Sequence, residues 1–390
     1  MRSNILVATL ALSLSVTTLE AQQAELLPSV SDPGISPGSV EFVQIAALEG
    51  PAAALGRGMR LGIGAAFNEI NASGGVHGRK LVLDSRDDGY SPQKSVQILD
   101  DVIAGNAHFG LIGSVGTPTA AAMQPKVKAA DLPMIGPFTG ASFLRDTSNG
   151  PIMNVRATYA AETEAWMAYL VDQKGYNQIA ILYQDDGFGR VGLAGARAAL
   201  EKRGMELVAE GTYTRNSRAV KEALLELRDA EPQAVVMVGA YKPIAEFIRW
   251  ARKLEFEPDF VNISFVGSAS LAAELGQDGE GVIVSQVVPF PWDETIPLVA
   301  RYQRALASFD SAAEPGFVSL EGYLVGRLAI EALDAAGRNL TRDGFMDAFF
   351  GLGAHDFGGV GMTFSEGDNQ GMDDVFLTHI TASGDYAKIE

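Results

Sequence analysis

The chain has 390 residues, 47% apolar and 20% charged, a globular composition long enough for one large domain or two to three smaller ones. Its formal charge is −18, from 30 basic and 48 acidic residues, which argues against nucleic acid, because neutralising phosphates needs a basic footprint. With no cysteine, disulfides, thiolate metal sites, iron–sulfur clusters, cysteine nucleophiles and a lipid anchor on an N-terminal cysteine are excluded.

The N-terminus reads MRSNILVATLALSLSVTTLEAQQ. One Arg precedes an apolar run from Ile5 to about Val16, too short to span a bilayer, and a small residue stands before a plausible cut after Ala21. This pattern at a terminus reads as a cleaved export signal (residues 1–21) rather than a buried helix, and the Pro-, Gly- and Ser-rich stretch up to residue 39 reads as a linker. No later window reaches membrane-spanning length without charge. The mature protein is therefore expected to be soluble and periplasmic, with no direct membrane insertion.

From Val40, strand-like and helix-like segments alternate. VEFVQIAAL is apolar and β-rich, GRGMRLGIGAAFNEINASGG has helical spacing, and RKLVLDSRDD is a second strand. SPQKSVQILDDVIAG is a helix with Ser91 as N-cap, Pro92 at the first position and a Gly stop. The strand HFGLIGS, the helix TPTAAAMQPKVKAAD and the strand LPMIGPF follow. The rhythm restarts after Thr158 and runs through QIAILYQDD, ELVAEGTY, AVVMVGA and DFVNISFVGS as strands, with helices between them. Such alternation indicates βαβ units and parallel sheets, and the short continuous runs Ile179 to Tyr183 and Ala234 to Val238 fit strands buried on both faces. Two successive units imply two lobes. The last third, from about Gly281, returns the chain to complete both, through several crossovers that would form a hinge.

FGLIGSVGTPT (Phe109 to Thr119) ends an apolar strand in small and hydroxyl residues. It lacks the spacing of a phosphate loop: Pro118 stands five residues after Gly113 and no Lys follows. GFGRVG (Gly187 to Gly192) does spell a dinucleotide pattern, but it follows Asp185 and Asp186, so close packing of a helix on a strand is the better reading. The turn at Thr117 lies where open α/β sheets bind ligands, at the carboxyl end of a strand and the start of a helix. Simple N-capping by Thr117 is the alternative. A second turn of the same kind, GPFTGAS (Gly136 to Ser142), carries Phe138, Thr139 and Gly140, and two adjacent loops favour a cradle for a small anionic or polar group. Phe188 and Tyr241 follow strands of the second unit and suggest apolar cleft walls. There is no G-x-S-x-G elbow and no Ser–His pairing, so a binding protein is favoured over an enzyme. The pairs Asp87/Asp88, Asp100/Asp101 and Asp373/Asp374 read as solvated faces, and the four histidines as surface residues without metal spacing. No cofactor is expected.

GVHGRKLVLDSRDDGYSPQKSVQ, LIGSVGTPTAAAMQP, IAILYQDDGFGRVGL, VVMVGAYKP and PGFVSLEGYLVGRLAIEAL, taken in order after an export signal, resemble the periplasmic leucine/isoleucine/valine-binding protein family. These are type I solute-binding proteins serving ABC importers. The resemblance runs from about Val40 to the C-terminus and implies two doubly wound, Rossmann-like lobes with parallel sheets joined by a three-crossover hinge. The expected division is residues 40–157 plus 282–360 for one lobe and 158–281 plus 361–390 for the other. It implies a small-molecule ligand and an ABC permease as partners. A ligand carboxylate would be held by Thr117 and by the backbone of Phe138 and Gly140, with Phe188 and Tyr241 as aromatic walls. The family's acidic acceptor for a ligand ammonium would fall in the loop after NISFV, which here reads GSAS (Gly267 to Ser270), with Ser268 and, at the nearest match, Ala269. Glu49 and Asp185 are the acids in neighbouring loops. With no acid in that loop, the expected ligand is a carboxylate lacking an α-ammonium, or a neutral amide, rather than a branched-chain amino acid. A periplasmic sensor presenting its ligand to a chemoreceptor or sensor kinase is the alternative function.

Overall fold

A computed structural model describes residues 32–389. The expected export signal, residues 1–21, lies outside the described residues, as does most of the expected linker. Among the described residues no helix is long and apolar enough to cross a membrane.

The first sheet contains β1 (Ser39–Ala46), β2 (Lys80–Asp87), β3 (Gly110–Ile112), β4 (Met134–Ile135) and β5 (Ile152–Met153), all parallel, in the order β2-β1-β3-β4-β5. Between them run α1 (Ala53–Ala72), α2 (Pro92–Gly105) and α3 (Thr117–Ala129). The strands are short and apolar because both faces are covered. Val43, Ile45, Leu111 and Met134 pack with Leu99 and Val102 of α2 and Met123 and Val127 of α3. Phe42, Ile112 and Ile135 turn to the opposite side, into the larger core that includes α1.

The second lobe begins with α4 (Tyr159–Met167), continued by one π-helical turn to Gln173. It then runs β6 (Ile179–Gln184), α5 (Gly187–Glu201), β7 (Ala209–Tyr213), α6 (Lys221–Asp229), β8 (Ala234–Val238), α7 (Tyr241–Lys253), β9 (Asp259–Asn262), α8 (Ser268–Leu275) and β10 (Ile283–Gln286). The chain goes on through α9 (Pro297–Phe309), α10 (Phe317–Ala336), α11 (Arg342–Gly351), the hairpin β11 (Ala354–Asp356) and β12 (Gly361–Thr363), then β13 (Phe376–Ile380) and β14 (Tyr386–Lys388). The second sheet is β14-β13-β10-β9-β8-β6-β7, parallel except for β13 and β14. This is the α/β architecture of two doubly wound lobes expected from the alternating pattern.

Several details depart from expectation. β10 lies in the second sheet, between β9 and β13, so the chain leaves the second lobe after Gln286 rather than before residue 282. All four of its residues, Ile283, Val284, Ser285 and Gln286, are buried, as suits a strand covered on both faces. The hairpin β11–β12 holds the chain on the first-lobe side beyond residue 361, and the return crossing falls near Gln370. There the first and third crossings pair: Asn154 N donates to Asn369 O at 2.8 Å and Gly371 N to Asn154 O at 2.9 Å. The described end of the expected linker is fastened, with Ile35 in the core and Asp32 accepting the Arg342 N–H at 2.6 Å. Asp88 is not on a solvated face. It is fully buried, accepting from Tyr90 N at 2.8 Å and Ser95 Oγ at 2.7 Å. His108, expected at the surface, is buried and faces Asp84 at 3.1 Å.

α10 lies along α1 with the two backbones in direct approach. A Cβ on Gly62 would stand 1.9 Å from Ser319 O and 2.5 Å from Tyr323 N, and one on Gly322 would stand 2.4 Å from Met59 O. Neither neighbour can give way, since both are backbone. Gly62→Ala is therefore expected to force the helices apart and lower stability by roughly 1–3 kcal/mol or more, as overpacking does. A denaturant melt with unchanged midpoint would contradict it.

Candidate functional site

The two hydroxyl-rich loops of the first lobe are stitched to each other. Phe138 N donates to Ser114 O at 2.7 Å, and Gly116 N donates to Phe138 O at 3.2 Å. Gly116 precedes α3 with φ of 104°, and a Cβ there would meet Tyr90 Cε2 at 2.3 Å, so the position demands glycine twice over. Thr117 is the first residue of α3 and does not cap it. Its hydroxyl pairs with Thr139 Oγ1 at 2.6 Å, with no hydrogen bond to a helix N–H. Tyr159 stands beside Thr139 and closes over Gly140, where a Cβ would meet its ring at 2.6 Å.

The second lobe brings aromatic side chains against these loops. After β9 the chain makes a 3₁₀ turn, Ser264–Val266, where the sequence reads as a continuing strand. That turn sets the Phe265 ring 4.5 Å from Phe188, 5.4 Å from Phe138 and 6.0 Å from Tyr90, between ring centroids. Phe138, Phe188 and Phe265 are at most 1% exposed. Phe138 and Tyr90 belong to the first lobe, so the lobes are closed on each other. Closure adds polar contacts at the rim: Gln184 Nε2 donates to Tyr90 OH at 3.4 Å, and Asn216 Nδ2 to Gly89 O at 3.1 Å. Ala54 N donates to Tyr241 OH at 3.4 Å, which puts Tyr241 on the rim rather than among the rings.

Within this closed cleft lies an ion cluster. Arg156, on the first crossing, is 1% exposed, and its guanidinium sits 4.6 Å from the Phe138 ring centroid. Its Nη2 donates to Ser264 Oγ and stands 4.0 Å from Glu162 Oε1, and its Nε stands 3.5 Å from Glu321 Oε1. Glu162 accepts from three donors, Ser264 N at 2.8 Å, Ser264 Oγ at 2.9 Å and Ser285 Oγ at 2.5 Å. Burial raises its carboxyl, although Arg156 and these donors pull it back. Glu321, on α10, has no such donors. Burial pushes it up to about 7 against the pull of Arg156, and Glu162 adds to the rise. Behind the Thr139 loop, Arg145 donates to Thr139 O at 2.9 Å, Ala141 O at 3.0 Å, Arg156 O at 2.9 Å and Gln370 Oε1 at 2.9 Å. Burial and the neighbouring Arg156 hold it down to about 9.

Of the residues singled out in the sequence, Thr117, Phe138, Thr139, Gly140 and Phe188 gather here. Ser268 and Ala269 do not. They begin α8, where Ala269 is exposed and Ser268 bonds Gln286 and accepts from Tyr386 at its carbonyl. The residues that the β9 loop contributes are Ser264 and Phe265. Glu49 is exposed, and Asp185 pairs with Arg190 at 2.7 Å near the surface, so neither is the cleft's acid. The acids present are Glu162 and Glu321. Glu321 sits in a largely apolar helical stretch (FVSLEGYLV), whereas Glu162 shares YAAETEAWM with Glu164, so the sequence does not single it out. The glycines of GFGRVG pack α5 on the sheet: a Cβ on Gly189 would meet Gln184 O at 1.9 Å.

A family model described as "Periplasmic binding protein" matches residues 39–385. The chain is 24% identical over 250 residues to a Leu/Ile/Val/Thr-binding protein of Salmonella typhimurium, a match covering 63% of this chain and 67% of that protein. Among solved structures, a possible leucine/isoleucine/valine-binding protein from Rhodopirellula baltica is 34% identical, with a TM-score of 0.86 over 93% of this chain and 98% of that one. A Thermus thermophilus branched-chain amino acid ABC transporter structure with bound valine, at 18% identity and a TM-score of 0.80, covers 90% of this chain and 96% of its own, and shares the fold.

The raised Glu321 carboxyl predicts a pH dependence of stability. An acid with a higher pKa folded than unfolded stabilises the fold fully below its unfolded value of 4.5, and loses that contribution as pH rises toward about 7. A shift of that size corresponds to about 3 kcal/mol. Glu321→Gln is expected to remove this part of the decline, so the gap between variant and wild-type melting temperatures should move in the variant's favour across that window. A constant gap would show that Glu321 titrates normally.

Proposed function

The chain belongs to the periplasmic binding protein family, and on that footing we propose that it captures a small solute between its two lobes and delivers it to an ABC permease in the inner membrane. The observation that carries the reading is the Thr117–Thr139 hydroxyl pair beside Phe138, with Phe188 and Phe265 of the other lobe packed on Phe138 and on each other, all buried where the two lobes meet. Hydroxyls and free N–H groups at the start of α3 suit a carboxylate or amide, and the rings suit an apolar remainder. Export by removal of residues 1–21 belongs to the same reading.

Capture requires opening, because residues this deeply buried admit nothing while the lobes are closed. A ligand favours closure only through higher affinity for the closed form. The paired first and third crossings keep the hinge short, so a few backbone dihedrals there would absorb the motion.

Mass spectrometry of small molecules released from the denatured, purified protein identifies the solute. With that solute added at saturation, small-angle scattering is expected to show a smaller radius of gyration. An unchanged profile would remove the interlobe site. Thr117→Val should weaken binding by the worth of one charge-assisted hydrogen bond, roughly 1.5–3 kcal/mol, while the melting temperature changes little, since Thr117 caps nothing. Unchanged binding with a lowered melting temperature would make Thr117 a packing residue only.

A further inference from the structure

We propose that Arg156 anchors the carboxylate of an apolar monocarboxylic acid that carries no α-ammonium. This rests on the reading that the solute sits between the lobes and goes beyond it by naming the solute's chemistry and the group that selects it.

Arg156 is all but fully buried; its Nη1 has no hydrogen-bond partner, and its Nε meets only Glu321 Oε1, at 3.5 Å and without hydrogen-bond geometry. Those atoms carry three N–H groups. Native interiors rarely leave even one such donor unmet, and a buried cationic donor is costlier than a neutral one. Nearby, the Tyr159 hydroxyl is also buried without a partner. The Phe138 ring under the guanidinium fixes its plane, and the Thr117–Thr139 pair lies along the Phe138 loop. Nη1 shares the end edge of the guanidinium with Nη2, and the acceptor that best answers such an edge is a carboxylate, which takes two parallel bonds from it.

The charges agree. Arg145 and Arg156 are both cations, and every hydrogen bond from Arg145 ends on a neutral oxygen. Glu162 is an anion already satisfied by three donors. Glu321 is held toward its neutral form by burial, with Arg156, Arg145 and Glu162 the charged groups that act on it. With Glu321 neutral, Arg156 retains Glu162, at 4.0 Å, and Asp373 acts on Arg145, and a ligand carboxylate would meet the Arg156 charge directly. A zwitterion brings an ammonium too. Beyond the neutral Tyr159 hydroxyl, the acceptor in the cluster that has no donor is Glu321, which must then ionise in the same dry space. The ligand's remainder meets Phe138, Phe188, Phe265 and Tyr90, which offer ring faces and no acceptor for an ammonium beyond one phenol oxygen.

Isothermal titration of the exported protein with matched compounds decides the matter: isovalerate, isocaproate and hydrocinnamate, each beside its primary amide and beside valine, leucine or phenylalanine, the same skeletons bearing an α-amino group. At least one acid is expected to bind roughly tenfold or more tighter than both its amide and its amino acid. Arg156→Lys keeps the charge but loses the forked geometry, and should weaken that acid by at least about tenfold. If Arg156→Lys does not fold, Glu321→Gln decides: removing a negative charge should strengthen acid binding at about pH 8, above the raised Glu321 value. An amino acid or amide that matches its acid, no binding by any of the three acids, or loss of acid binding in Glu321→Gln each overturns the proposal. The cleft reading fails on different grounds. If an acid binds and the scattering profile does not contract, the interlobe site is wrong. If leucine binds and the profile contracts, the site stands and only the solute class falls.

Discussion

Arg156 carries a positive charge into a place that water does not reach, and the structure around it is organised by that fact. Transferring an ion from water into a protein interior costs several kcal/mol even after relaxation, unless opposite charges and hydrogen bonds meet it there. Its partners come from separate parts of the chain: Glu162 from the start of the second lobe, Ser264 from the turn after β9, Glu321 from α10. Arg156 itself lies between the lobes, on the first crossing. The position of α4, the turn that aims Phe265, and the close seat of α10 on α1 are thus tied to one guanidinium. Ser264 serves twice, accepting from Arg156 and donating to Glu162 through both its N–H and its hydroxyl.

The same cluster bears on motion. Opening the lobes would move Glu321 on one side away from Ser264 and Glu162 on the other, with Arg156 on the first crossing between them. Water entering the opened cleft would hydrate the guanidinium and lower the cost of losing a partner. The aromatic contacts behave differently, because separating Phe265 from Phe138 and Tyr90 exposes apolar area and is opposed in any solvent state. Under the proposed function, closure would join an apolar term that favours it to an ionic term that depends on what fills the cleft.

The global charge is a poor guide to this site. The chain carries −18, yet Arg156 is buried in the cleft and Arg145, part-buried behind the Thr139 loop, bonds only neutral oxygens. Buried groups feel their immediate neighbours in a low-dielectric setting, whereas surface carboxylates are screened by solvent and salt. An acidic surface and a cationic pocket coexist without conflict, and an excess of acids read from composition carries no information about the ligand.

The alternation of apolar strands with capped helices was legible in the sequence because each element's period and stop signals are local: Ser91 and Pro92 open α2, and the unbroken runs of β6 and β8 require cover on both faces. The two hydroxyl-rich loops were legible for the same reason, since ligand sites of parallel sheets fall at strand ends and the chemistry of GSVGTPT and GPFTGAS is contiguous. What the sequence could not decide was everything set by distance across the chain. Whether Thr117 capped its helix or faced the cleft depended on Thr139, twenty-two residues on. That the β9 loop would deliver Phe265 and bury Ser264, leaving Ala269 on an exposed helix, depended on a turn at Ser264 that interrupts an apolar run. Most of all, Arg156, Glu162 and Glu321 are charges in unremarkable stretches, and nothing local separates the buried Glu162 from its neighbour Glu164. A buried charge is recognised only by its partners, and these meet through tertiary contact alone, where the free energy of an ion is settled by what stands within a few ångströms of it.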